Sequence, residues 1–95
     1  MSHFGQKIRE LRENQNLLLR QVAAQLEVDT ALISKIERGE RNANKEQVIQ
    51  IAKFLKANTN ELLTLWIADK IESAIGEEIS LASDALNIVK LKTKK

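Results

Sequence analysis

Cysteine, proline and tyrosine are absent from the 95 residues, and only three glycines and three aromatics (Phe4, Phe54, Trp66) occur. Without cysteine there is no disulfide framework, no thiolate zinc finger and no thiol nucleophile. With His3 as the one histidine, no histidine-based metal site is expected. Few turn formers beside abundant Leu, Ile, Ala, Lys, Glu and Gln suit helices and disfavour sheet. No apolar run approaches the roughly 20 residues that span a bilayer. The N-terminal region lacks a signal-peptide core and carries acids unlike a transit peptide, so a cytoplasmic chain without membrane contact is expected. The length suits one domain with one core.

Charge of one sign is also scarce, with a net value of +2, but its distribution is uneven. Residues 1–58 hold ten Lys and Arg against seven Asp and Glu, residues 59–89 hold one against six, and residues 90–95 hold four lysines and no acid. A basic front and an acidic rear suit a protein with one face toward a polyanion and the other toward protein or water.

Apolar residues recur at helical spacing almost throughout, and no stretch alternates with period two long enough for a strand. Six helices are expected. The first spans about 4–15, with Phe4, Ile8 and Leu11 as its apolar stripe. A short second covers 19–26, and a third starts at the capping Asp29, buries Ile33 and Ile36 and stops at Gly39. Asn44 opens the fourth with Gln47 in capping-box position, and its stripe is Val48, Ile51, Ala52 and Leu55. The fifth runs from Asn58 or Thr59 to Gly76 and is apolar nearly all round, so it needs cover on every side. A sixth is expected over 77–90 with Ile79, Ala82, Leu86 and Val89 on one side, followed by a frayed lysine tail. Residues 1–76 form the expected main domain, and 77–95 a C-terminal helix and tail suited to dimerisation.

The informative stretch is LRQVAAQLEVDTALISKIERG, residues 19–39. Two short helices joined by a tight turn cross steeply, which demands a small residue at their close approach, here Ala23. Val22, Leu26, Val28, Ile33 and Ile36 supply apolar contacts on either side. Thr30, Ala31, Ser34, Lys35 and Arg38 are left on the outer face of the second helix, where a helix in a major groove presents side chains to bases and phosphates.

With IRELRENQNL at 8–17, AAQLEVDTALISKIERG at 23–39 and Leu62-Leu63 downstream, the chain resembles the lambda-repressor-like (Cro/C1-type, XRE-type) helix-turn-helix regulators over about residues 5–66. The resemblance implies an all-α fold and sequence-specific binding of double-stranded DNA by the helix at 29–38. It implies base contacts from Thr30, Ala31, Ser34 and Lys35, and phosphate contacts from Arg20, Arg38, Arg41, Asn42 and Lys45. It further implies that Arg12 and Glu37 form a structural ion pair. Two positions depart from the pattern: Leu18 and Leu19 replace a Ser or Thr cap followed by a phosphate-binding Gln, and Glu27 stands where the turn commonly has Gly, in an unfavourable backbone conformation.

One recognition helix reads only a few base pairs, so a homodimer on a two-fold operator is expected. Leu65, Trp66, Ile67 and Ile71 are its expected contact surface. A competing class is a protein-binding module, such as an antitoxin whose rear helices engage a partner protein. Short family members include phage repressors, restriction-modification controllers and antitoxins, and these residues do not choose among them. Ser34 lacks a histidine partner and the scattered carboxylates form no evident pair, so neither catalysis nor a cofactor is expected. His3 is expected to be without a role.

Overall fold

The computed structural model describes residues 2–93 and is all-helical, with no strand among them. The helices are α1 (His3–Asn14), α2 (Leu19–Leu26), α3 (Thr30–Glu37), α4 (Lys45–Phe54), α5 (Thr59–Ile75) and α6 (Ala82–Thr93). Their starts follow from side-chain capping of exposed N–H groups. Ser2 Oγ accepts from Gly5 N–H, Asp29 from Leu32 N–H and Asn58 from Glu61 N–H. Asn44 accepts from Gln47 N–H at 2.8 Å while Gln47 accepts from Asn44 N–H at 2.9 Å, the expected capping box. Leu18 has no such side chain, and Gln21 Oε1 alone closes the start of α2 by accepting from Leu18 N–H.

The first four helices end alike. A residue at positive φ lets the next N–H bond back to a carbonyl five residues earlier: Leu17 to Arg12, Val28 to Ala23, Glu40 to Lys35 and Ala57 to Ala52. Only α3 uses glycine there, with Gly39 at φ 78°. Asn16, Glu27 and Lys56 take φ 57°, 58° and 57° at the other three. Three of the four following residues, Leu17, Val28 and Ala57, then fold onto the core.

Ile8, Val22, Ile33, Val48, Ile51 and Leu62 are almost completely buried at the centre, around which α1 to α5 pack. Gly5 lies where α1 meets the end of α3. A Cβ there would come within 2.5 Å of the Glu37 carbonyl oxygen and 2.6 Å of that of Ile36. Gln15 Nε2 donates to the Leu55 carbonyl at 2.6 Å, tying the ends of α1 and α4.

The rear of the molecule differs from the sequence expectation. The single helix expected at 77–90 is a turn, then a 3-10 segment over Ile79–Leu81, then α6 from Ala82. Gly76 ends α5 at φ 56°, ψ −123°, a backbone region essentially confined to glycine. The expected cover around α5 is also incomplete. Its first half packs on the core, but Ile67 and Ile71 are exposed, as are Ile79, Leu86 and Val89 of the apolar side expected for the sixth helix. Lys94 and Lys95, the end of the expected lysine tail, lie outside the described residues.

Candidate nucleic-acid interface

The third helix is set into the molecule by its inner face and left open on its outer one. Ile33, Ile36 and Glu37 are buried, whereas Thr30, Ala31 and Lys35 are exposed and Ser34 is partly so. Asp29 holds the first turn, its carboxylate accepting from Leu32 N–H at 3.1 Å. The last turn is held by an ion pair. Arg12 Nε donates to Glu37 Oε2 at 2.7 Å and Nη2 to Oε1 at 3.1 Å, and Nη1 donates to the Leu17 carbonyl at 2.8 Å. The planar fork thus meets both carboxylate oxygens and the chain leading into α2, fixing the relative positions of α1, α2 and α3. Hydrogen bonding to Glu37 raises the Arg12 pKa, against the opposing effect of burial. Among the described residues no buried side-chain nitrogen or oxygen lacks a partner.

The residues expected at phosphates are exposed. Arg20 is exposed at the start of α2, Arg41 and Asn42 are exposed in the loop after α3, and Lys45 is exposed at the start of α4. Arg38 is occupied: its Nε donates to Glu40 Oε2 at 2.6 Å, and its Nη1 donates to Ser34 Oγ. The Arg38 hydrogen bond holds the exposed Glu40 carboxyl below the usual carboxylate range, and the same bond raises the guanidinium pKa. Two nominated DNA-contacting residues, Ser34 and Arg38, are therefore linked to each other, with Glu40 as counter-charge. The two-residue spacing of Arg38 and Glu40 was the available signal for this partner.

The four residues nominated for a dimer surface occupy two environments. Ile67 and Ile71 are exposed, one helical turn apart on α5. Leu65 and Trp66 are half-buried against the core. The indole N–H of Trp66 donates to the Ala43 carbonyl at 2.8 Å, and Lys70 Nζ lies 3.9 Å from the ring centroid. Trp66 thereby anchors the loop between α3 and α4 to α5.

His3, expected to be idle, joins α1 to α5. The Asp69 carboxylate accepts from the His3 backbone N–H at 2.8 Å and from Phe4 N–H at 3.0 Å, placing an anion at the start of α1. His3 Nε2 meets Glu72 Oε1 at 2.5 Å, and hydrogen bonding to Glu72 raises the His3 pKa. Ligand-type atoms of His3, Asp69 and Glu72 lie within 4.8 Å of one another, and all three residues serve this clasp. The i, i+3 spacing of Asp69 and Glu72 hinted at a shared face, but nothing in the sequence pointed it at His3.

A family profile described as helix-turn-helix matches residues 8–62, more than half of the chain. The chain belongs to the Cro/C1-type helix-turn-helix family. This is a family of transcriptional regulators, not of enzymes. Similar proteins include the uncharacterized HTH-type transcriptional regulator RghRB of Bacillus subtilis (strain 168), 39% identical over 90 residues that cover 94% of this chain and 63% of that protein. The HTH-type transcriptional activator BcrR of Enterococcus faecalis is 39% identical over 61 residues, 64% of this chain and 30% of its own length. Control protein C.BamHI of Bacillus amyloliquefaciens is 34% identical over 61 residues, 63% of this chain and 75% of the relative. The chain thus spans less than two thirds of the length of the first two relatives. No solved structure matches it significantly. In this helix-turn-helix family member the matched segment runs from Ile8 to Leu62, so the α5–α6 rear lies almost wholly beyond it. No described helix is long and apolar enough to cross a membrane.

Proposed function

We propose that this chain is a sequence-specific double-stranded DNA-binding transcriptional regulator that sets α3 into the major groove and acts as a homodimer on a two-fold operator. The observation carrying this reading is the division of α3: an inner face locked by Ile33, Ile36 and the Arg12–Glu37 pair, and an outer face that is open. On that face Lys35 donates to guanine O6 and N7, Thr30 bonds base edges and the Ala31 methyl meets a thymine methyl, each good contact worth roughly 1–3 kcal/mol of discrimination. Ser34 is the fourth base-reading residue, released when Arg38 exchanges Glu40 for a phosphate. Arg20, Arg38, Arg41, Asn42 and Lys45 contact the backbone and set register. Dimer contact involves the outer face of α5 at Ile67 and Ile71, with Leu65 and Trp66 behind it.

Footprinting on DNA upstream of its own gene tests the reading. Two protected half-sites about one helical turn apart are expected, and their loss in Lys35→Ala with folding intact. Absence of salt-sensitive binding to any fragment from that region would reject the DNA-binding function.

A further inference from the structure

The second half of α5, the 3-10 turn and α6 enclose an apolar groove of about 400 Å³, lined by Ile71, Ala74, Ile75, Leu81, Ala85 and Leu86 among others. Small alanines on both walls allow a helix to approach closely. On α6, Ile88 is 69% and Leu91 75% exposed, and Ile79 in the 3-10 segment is 77% exposed. Together with Ile67, Ile71 and Leu81 these make six large apolar side chains exposed along the rear of the molecule. Exposed apolar groups of this size mark interaction surfaces.

We propose that this groove receives α6 of a second copy of the chain, antiparallel, with Ile88 and Leu91 of each copy seated in the groove of the other. Charge selects that occupant and orientation. Acids cluster at the start of the hairpin's second arm, where Glu77 and Glu78 precede the 3-10 turn and Asp84 lies in the first turn of α6. Bases lie at the other end, with Lys90 and Lys92 in the last turn. Antiparallel pairing about a two-fold axis brings the acidic start of each α6 to the basic end of the other, twice per dimer, whereas parallel pairing sets like against like. Asp84 and Lys92 are eight residues apart, about 12 Å along one helix, so direct contact between them requires two chains. This pairing rests on the homodimer reading above and moves the centre of the interface from the face of α5 to the hairpin of α5 and α6.

Sedimentation equilibrium of the full chain at low salt tests it, with circular dichroism as the check on folding. The wild type is expected to be a dimer. Ile88→Glu, at an exposed position of α6, should weaken dimerisation at least about tenfold. Asp84→Lys and Lys92→Asp should each weaken it several-fold, and the double variant should return it close to wild type. That rescue distinguishes contact between chains from helix stability, because each substitution opposes the α6 dipole and the pair together should be worse for a lone helix. A dimer unaffected by Ile88→Glu but dissociated by Ile67→Lys would overturn the groove pairing and leave the homodimer reading standing. A wild type that stays monomeric at its highest soluble concentration would overturn both, and charge variants that do not rescue one another would overturn the antiparallel arrangement.

Discussion

Arg12 and Glu37 illustrate how one buried pair organises a small core. Their side chains are 12% and 6% exposed, and every oxygen of the carboxylate has a donor on the guanidinium. Desolvation offsets much of the Coulomb attraction, so the pair contributes more to geometry than to net stability. Removing one partner is a different matter, because it strands the other charge in the interior. Arg12→Leu should therefore cost about 3–5 kcal/mol, measured by urea unfolding, while Lys35→Ala on the exposed face should shift stability by less than about 0.5 kcal/mol. Equal losses would show that Arg12 does not hold the fold. The Asn44 cap is legible from residue types at fixed spacing, and this pair and the strained Glu27 from the resemblance to the family. The positive φ of Lys56 and the packing of Gly5 are not. A glycine within a helix reads locally as a weakness relative to alanine, and the reason for Gly5 in the first turn of α1, the Ile36 and Glu37 carbonyls, sits more than thirty residues away in sequence.

At the scale of elements, α1 to α5 are legible because apolar residues recur at helical spacing in each and capping residues mark the starts of α3, α4 and α5, whereas the rear is not. The periodicity at 77–90 is helical, yet helical periodicity reports a face that wants burial and says nothing of whether a partner lies within the same chain. The clasp between α1 and α5 was invisible for a related reason, since it joins residues 66 and 69 positions apart. It has a pH signature. Because Glu72 raises the folded-state pKa of His3 above 6.5, the charged form is favoured by folding. The stabilisation is complete below the unfolded value and fades as pH rises through the folded one. The melting temperature of the wild type, relative to that of His3→Gln, should consequently decline from about pH 6 toward pH 8, with Glu72→Gln behaving like His3→Gln. Parallel pH profiles for wild type and His3→Gln would mean that the ion pair does not form in solution.

For the whole molecule, the modest net charge of +2 divides into a front of +3, a rear of −5 and a terminal +4. Three cations of the front are paired within it: Arg12 with Glu37, Arg38 with Glu40 and Arg9 with Glu13. Arg20, Arg41 and Lys45 have no acidic partner within 4 Å among the described residues, and these are cations proposed above to contact phosphate. Each phosphate neutralised contributes about −0.9 to the slope of log affinity against log salt. In a dimer on a two-fold site, a substitution removes its contact twice. Arg41→Gln should therefore flatten the slope by about 1.8 in a dimer but by about 0.9 in a monomer, weakening binding to operator and unrelated DNA to a similar degree because a phosphate carries no base identity. Measured by fluorescence anisotropy over a salt series, that one difference counts both the contact and the copies. A slope unchanged by Arg41→Gln and Lys45→Gln together would remove the loop after α3 from the interface.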